Sequence, residues 1–405
     1  MGLTILGIGT ASPPRAILQA DAATLAVAFA NAEPGGERSL QALYRQTRIR
    51  SRGSVVLEEP GPERYAQSFF PPADVAGVGG PSTAERMQRY AAEAPALAQA
   101  AAAAALRRSD LDPAAVTHLV TCSCTGFTSP GFDLELVGTL SLRPDVSRTH
   151  VGFMGCHGGF NALRVADAFV SARPESVPLV VCLELCSLHF QYGSRSDVVV
   201  ANSIFADGAA AVVGAAAARR PAHGPTWVLE RQWSSILPES RAEMGWRIGD
   251  HGFEMQLSAA VPATIARHLP GAVATGLAEV GLGPDDVGAW AVHPGGPRVL
   301  TAVEEALALS PEALADSRRV LAEHGNMSSA TILFILERLL CGAAPGPCVA
   351  MAFGPGLTAE FALLRRLEPA AGGAREECGE QHEVAHERRG HERREHPGEA
   401  PRRRE

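Results

Sequence analysis

The stretch ALRRSDLDPAAVTHLVTCSCTG, residues 105–126, decides the fold, because the chain carries its plan twice. In GLAEVGLGPDDVGAWAVHPGG, residues 276–296, Leu277, Leu282, Pro284, Val287 and Trp290 fall opposite Leu106, Leu111, Pro113, Val116 and Leu119. Both copies read as helix, turn and buried strand. Two more pairs follow in the same order. MGCHGGFNALRVADAFV around Cys156 matches HGNMSSATILFILERLL around Asn326, each a Gly-preceded polar residue opening an apolar helix. FADGAAAVVGA from Phe205 matches FGPGLTAEFALL from Phe353, both glycine turns leading into strands. Three matched elements in one order predict an α/β fold of two duplicated βαβαβ-type halves, residues 1–220 and 225–368, with mixed sheets covered by helices.

If the halves pack about a pseudo-two-fold axis, the helix starts bearing Cys156 and Asn326 face one centre. His293, ending the strand AWAVH, stands where the first copy has Cys122. Strand ends and helix starts of such sheets are where ligands bind, so a thiol, an imidazole and a carboxamide are expected to converge there. Around the thiol, VGFMGCHGGFNALRVADAFV (151–170) delivers Cys156 to a Gly-flanked turn ahead of a helix with Phe160, Leu163, Val165, Ala168 and Phe169 on its buried face. The positive end of that helix favours a thiolate, and glycines 155, 158 and 159 leave room for a carbonyl to approach. The competing reading makes Cys156 a small buried hydrophobe.

Composition bounds the rest. A chain of 405 residues, 46% hydrophobic, can bury one large core or two fused ones, and a net charge of −8 argues against a nucleic-acid binder. Eight scattered cysteines suit free thiols in a reducing cytoplasm. MGLTILGIGTASPP is a first strand and turn rather than a signal peptide, and no run is long enough for a membrane span. Asp21 to Asn31 and Ala91 to Arg107 read as helices, and Gly53 to Gly80 as surface loops. In LYRQTRIRSR, Arg45, Arg48, Arg50 and Arg52 make either a solvated face or a clamp for a phosphate-bearing ligand such as coenzyme A. Cys122, Cys124 and His118 lack zinc-knuckle spacing, so no metal is expected, and no nucleotide-binding glycine fingerprint is present. Residues 369–405, rich in Arg and Glu and nearly free of large apolar side chains, read as a disordered tail.

Cys156 in GCHGG, His293 in HPGGPRVL, Asn326 in GNMSSATILFIL and the loop FGPGLT from Phe353 resemble the signatures of type III polyketide synthases, the chalcone synthase-like enzymes of the thiolase fold. The similarity covers essentially residues 1–368 and implies a layered αβαβα core. It also implies a homodimer paired through the region around the nucleophile helix, which the apolar stretch VTCSCTGFTSPGFDLELVG supports indirectly, with acyl-CoA and malonyl-CoA as substrates and no cofactor. Cys156 would take the starter acyl group as a thioester and His293 would hold it as a thiolate–imidazolium pair. His293 and Asn326 would donate to the malonyl thioester carbonyl as CO₂ leaves. Phe205 falls at the family's gatekeeper position, which leaves two readings, a gate or plain core packing. The tunnel mouth falls on Arg45, Arg48 and Arg50, with Arg298 as a further contact.

The resemblance places the substrate pocket on Phe205, Cys124, Thr125, Cys186, Leu188, His189, Trp246, Met255, Ser328, Gly354 and Pro355. Cys124, Cys186 and His189 replace the hydroxyl residues of plant chalcone synthases, Met255 a second gatekeeper phenylalanine and Trp246 a cavity-opening glycine. Cys124 and Trp246 resemble bacterial members instead. These departures point away from chalcone and leave the condensation chemistry intact; the resemblance implies cyclisation to a pyrone, resorcinol or related aromatic polyketide. His157, directly after the nucleophile, either tunes Cys156 or points away. Two other readings stand beside this one: a 3-oxoacyl-carrier-protein synthase III-like enzyme that condenses once, and a non-catalytic acyl-CoA-binding protein of the same fold.

Overall fold

The computed structural model describes residues 2–30, 36–58, 66–73, 79–216, 224–342 and 346–368. The tail from 369 to 405 and parts of the loop stretch 53–80 lie outside the described residues. In chain order the first half gives β1 (Leu3–Ala11), β2 (Ala16–Leu18), α1 (Gln19–Ala30), α2 (Gly36–Gln46), β3 (Ser51–Gly53), α3 (Thr83–Ser109), β4 (His118–Ser123), α4 (Phe132–Thr139) and β5 (Ser147–Gly152). It continues with α5 (Gly158–Ala172), β6 (Pro178–Leu185), α6 (Ser196–Ile204) and β7 (Asp207–Ala216). The second half gives β8 (Thr226–Ile236), β9 (Met244–Gly249), β10 (Gly252–Leu257), α7 (Val261–Ala278), β11 (Ala289–Val292), α8 (Pro297–Ala306), α9 (Ala315–His324), α10 (Thr331–Cys341), β12 (Cys348–Gly354) and β13 (Thr358–Leu367).

The strand order repeats between the two halves. One sheet runs β11-β12-β13-β8-β1-β7-β6-β4-β5, so β1-β7-β6-β4 in the first half is answered by β8-β13-β12-β11 in the second. The pairing senses agree as well. The β4–β6 and β11–β12 contacts are parallel, whereas β6–β7, β12–β13, β7–β1 and β13–β8 are antiparallel. The expected separate sheets are in fact one, because β1 also pairs with β8, over Leu3–Ile5 against Trp227–Leu229.

Three apolar clusters make the layers. Between the two sheet halves lie α5 and α10, whose Phe160, Leu163, Ile332 and Leu336 meet Val120, Val180, Ala291 and Ala350. The opposite faces are covered by α3 and α4 on the first half and by α7 and α8 on the second, giving the layered αβαβα core. Strands with helices on both faces need apolar residues at every position rather than alternate ones, and β6 and β7 are buried throughout. On α5 the buried residues are Gly158, Gly159, Phe160, Ala162, Leu163, Ala166 and Val170; Ala168 is exposed, contrary to the expected face.

Helix α3 begins eight residues before the expected Ala91. Ser82 caps it by accepting from Glu85 N, and the Glu85 carboxylate accepts from Ser82 N at 2.7 Å. Its alanines 98, 101, 102 and 105 are wholly buried and bring the helix so close to β1 that a methyl at Gly9 would stand 2.3 Å from Ala101 O. Cys122, Cys124, Cys156, Cys182, Cys186 and Cys348 are free thiols, whereas Cys341 is disulfide-bonded, against the expectation of free thiols throughout.

Candidate active site

Each central helix is preceded by a single 3₁₀ turn, Gly155–His157 before α5 and Ser328–Ala330 before α10. Cys156 lies within the first turn and Asn326 two residues before the second. The helix starts abut through glycine: a methyl at Gly159 would stand 2.7 Å from Ser329 O. That contact is why Gly, and no larger residue, stands at the second position of α5.

Asn326 is fixed from both sides. Its N–H donates to Ile204 O (2.8 Å), its carbonyl accepts from Ala206 N (2.9 Å), and its side-chain Oδ1 accepts from Ser328 N (2.8 Å). With Oδ1 engaged, the amide nitrogen turns to Cys156 Sγ, at 4.0 Å. His293 follows β11, and its backbone N–H continues the ladder to Met351 O (2.9 Å). The imidazole is buried, yet neither ring nitrogen has a hydrogen-bond partner among the described residues.

Burial sets the protonation of both groups. It pushes the Cys156 thiol up to about 11, with Glu184 acting in the same sense, while hydrogen bonds from Ser328 and Asn326 pull it down. Burial likewise pushes His293 down to about 3, helped by His157. The expected preference for thiolate at this helix start is therefore reversed: desolvation outweighs the helix end, and thiol and imidazole rest neutral. The thiolate–imidazolium hydrogen bond is not made in this structure.

Beside this centre lies a cavity of about 310 Å³. Of the residues expected to line a substrate pocket, Phe205, Cys186, His189, Trp246 and Met255 stand on its wall; α1 and Phe70 close the far side. Cys156, His293 and Asn326 do not line it. Phe205 forms the boundary, since it lines the cavity and pairs by a β-bridge with Asn326. Trp246 donates to Cys124 O (2.8 Å), and His189 stacks on Phe253 at 4.2 Å. His189 Nδ1 accepts from Phe253 N (2.9 Å) and Nε2 faces Thr125 O (2.7 Å), so the ring is a neutral tautomer donating to that carbonyl.

The remaining expected pocket residues divide. Cys124 accepts from Gly155 N (3.0 Å), Pro355 backs Gly155, Gly354 backs His157, and Ser328 faces Cys156, so all four frame the nucleophile turn instead of the cavity. Thr125 is buried against Glu184. Leu188 is a correction: the short 3₁₀ turn Cys186–His189 sets Cys186, Ser187 and His189 on the cavity wall and turns the apolar Leu188 away from it, into the core beneath α3.

The arginines divide too. Arg48 and Arg298 line one surface hollow of about 400 Å³, with Arg318, against α7 and α8. Arg45 is exposed at the end of α2, outside that hollow, and Arg50 is ion-paired with Glu323 at 2.9 Å. Arg52 is no part of a solvated face. It donates to Gln19 Oε1 (2.9 Å) and to Asn202 O (2.8 Å) and Phe205 O (2.6 Å), bracing the boundary residue from behind.

Sequence reasoning missed Glu184. Wholly buried at the end of β6, it accepts from Cys124 N (3.0 Å), Thr125 Oγ1 (2.8 Å) and Ser329 Oγ, and burial lifts its carboxyl to about 7. A carboxylate closing the apolar run PLVVCLEL was the available signal. Asp207 at the start of β7 plays a similar part, accepting from Val55 N (2.8 Å) and Ser187 N (2.7 Å). Among the described residues no cluster of His, Cys, Asp and Glu is suited to hold a metal ion, and no helix is long and apolar enough to cross a membrane.

A doubled five-layer frame with a thiol and a carboxamide meeting at its two inner helix starts defines a condensing enzyme of the thiolase type. The chain belongs to the chalcone and stilbene synthase family, whose N-terminal domain matches residues 2–217 and whose C-terminal domain matches residues 229–368. It is similar to 1,3,6,8-tetrahydroxynaphthalene synthase of Streptomyces peucetius subsp. caesius, 36% identical over 90% of this chain and 93% of that one. The alpha-pyrone synthesis polyketide synthase-like Pks18 of Mycobacterium tuberculosis is 33% identical over 89% of this chain and 91% of its own. Among solved structures, the type III polyketide synthase domain of Steely1 from Dictyostelium superposes with a TM-score of 0.82 at 28% identity, covering 90% of this chain and 99% of that one. PKS-I of the brown alga Ectocarpus siliculosus gives 0.82 at 32% identity, covering 90% and 98%. The activity is thus that of a type III polyketide synthase, an acyltransferase-type condensing enzyme of a family that uses acyl-CoA and malonyl-CoA.

Proposed function

We propose that Cys156, His293 and Asn326 carry the condensation. The observation that supports this most directly is the Asn326 amide turned toward the Cys156 sulfur; His293 adds a buried imidazole whose two ring nitrogens are unpartnered among the described residues. Buried polar groups are nearly always satisfied, so unpartnered ones in a site of this kind await a substrate atom. Sγ attacks the starter carbonyl as His293 takes its proton. The bond from carbonyl carbon to CoA sulfur breaks, and CoA leaves with that proton.

Malonyl-CoA then presents its thioester oxygen to His293 and Asn326. CO₂ departs, its bonding pair passes into the enolate, and the two donors stabilise the charge; each is worth about 3 kcal/mol in comparable sites. The enolate carbon attacks the Cys156 thioester, forming the new carbon–carbon bond and releasing Sγ. Reloading repeats the cycle, and the finished chain cyclises to a pyrone, resorcinol or related aromatic. Phe205 acts as the gate, its ring raising the cost of keeping a carboxylate beside it and so assisting CO₂ loss. The 310 Å³ cavity behind it houses the growing chain, and Arg48 and Arg298 take the CoA phosphates. The enzyme needs no cofactor, works in the cytoplasm and acts as a homodimer, for which exposed Phe127, Leu134 and Met154 supply an apolar face.

Incubation with malonyl-CoA and a panel of acyl-CoA starters, without carrier protein, metal or nucleotide, followed by mass spectrometry, tests this. Products carrying more than one extension are expected, and none from Cys156→Ala. A single extension that requires carrier protein would favour the one-step condensing enzyme. Absence of any acyl adduct on Cys156 by intact mass would favour the non-catalytic reading.

A further inference from the structure

His157 has no task in the reaction above, yet it is buried and both its ring nitrogens are engaged. Nδ1 lies 2.9 Å from Asn161 Oδ1, and Nε2 lies 2.6 Å from Thr358 Oγ1. The Asn161 amide nitrogen donates to Glu360 (3.2 Å), which directs the Asn161 oxygen at the imidazole. Nδ1 therefore carries the hydrogen, and Nε2 accepts from the Thr358 hydroxyl. Glu360 is itself held by Arg164 and by Ser234 at 2.7 Å, so the arrangement is braced from both α5 and β8.

The ring also packs without slack. A methyl at Gly354 would stand 2.2 Å from His157 Cδ2, and one at Gly155 would stand 2.3 Å from Pro355 Cδ. The residues on either side of Cys156 are thus keyed into the loop between β12 and β13. Thr358 opens β13 directly after that loop, and its hydroxyl gives the nucleophile turn a polar side-chain link to the strand start.

We propose that His157 is a positioning residue for starter loading: by tying the nucleophile turn to Thr358, it holds the Cys156 sulfur where Asn326 and the incoming thioester carbonyl meet it. This rests on the reading of Cys156 as the nucleophile. It separates the two half-reactions, because loading depends on where the sulfur stands, whereas decarboxylation of malonyl-CoA depends on His293 and Asn326.

The test is a pair of rates on the full chain. Acyl-enzyme formation is followed by intact mass after rapid quenching, and decarboxylation by conversion of malonyl-CoA to acetyl-CoA. His157→Ala is expected to slow loading about tenfold or more while decarboxylation stays within about twofold. Gln places its amide where Nε2 stands and keeps the Thr358 bond, so His157→Gln restores loading; Asn reaches only the Nδ1 position and does not. Thr358→Val reproduces the loading defect without touching the residue beside the sulfur. Loading at the wild-type rate in His157→Ala, a parallel fall of both rates, or equal rescue by Asn and Gln would overturn the proposal. Failure of the wild-type chain to load Cys156 at all would instead overturn the catalytic reading beneath it.

Discussion

Glu184 shows how a single side chain couples the site to stability. Its carboxyl, lifted from 4.5 to about 7 by burial, binds a proton more tightly in the folded chain than in the unfolded one. The resulting increment is fully present below about pH 4.5 and is lost as pH rises through about 7, amounting to as much as about 3 kcal/mol. Glu184→Gln cannot titrate, so the wild-type advantage in unfolding free energy should shrink across that window. Denaturant titrations of both proteins at several pH values check this, and parallel pH profiles would contradict it. At this scale the sequence was unevenly legible. The meeting of Cys156 and Asn326 could be read because their residue types and glycine surroundings are local. Glu184 and the partner of His157 could not, since Ser329 lies 145 residues from the one and Thr358 lies 201 from the other. The protonation of Cys156 is not legible for a related reason: a helix end is visible in a sequence, whereas the burial that pushes the thiol up is not.

Elements were read better than their limits. Helix α3 is legible from its alanines, but its true start is marked by the capping signal Ser82-x-x-Glu85, eight residues ahead of the alanine run. Nor does alanine content reveal how closely the helix approaches its neighbour. Only Gly7 and Gly9 on β1 record it, each facing α3 backbone within 2.4 Å of where a methyl would stand. Gly9→Ala should therefore push α3 off the sheet and cost about 1–3 kcal/mol, seen as a lower denaturant midpoint at unchanged slope. An unchanged midpoint would mean that the helix shifts freely. The short turn Cys186–His189 marks the opposite limit, since no pattern in CSLH tells which side chains face the cavity and which, like Leu188, the core.

For the molecule as a whole, repetition made the fold legible. Three matched motifs fixed the relation between halves, and the observed strand orders repeat that relation strand by strand. The join at β1 and β8 was not foreseen, because three residue pairs leave no periodic signal. The same scale governs assembly. Phe127 and Leu134 expose apolar side chains in the segment that leads from β4 into α4, and Met154 stands two residues before the nucleophile. Phe127→Glu combined with Leu134→Glu should convert a dimer into a monomer by light scattering, with secondary structure retained; a wild-type monomer, or an unaffected dimer, would refute the proposed face.

The matched strand orders also bear on ancestry. A unit joined to a copy of itself through its first strand would have set two like helix starts nose to nose before either bore a reactive group. Sulfur on one side and amide on the other are then a later division of labour on a symmetric frame. Each lobe can accumulate changes to its own chemical role while the opposing lobe keeps the backbone in place.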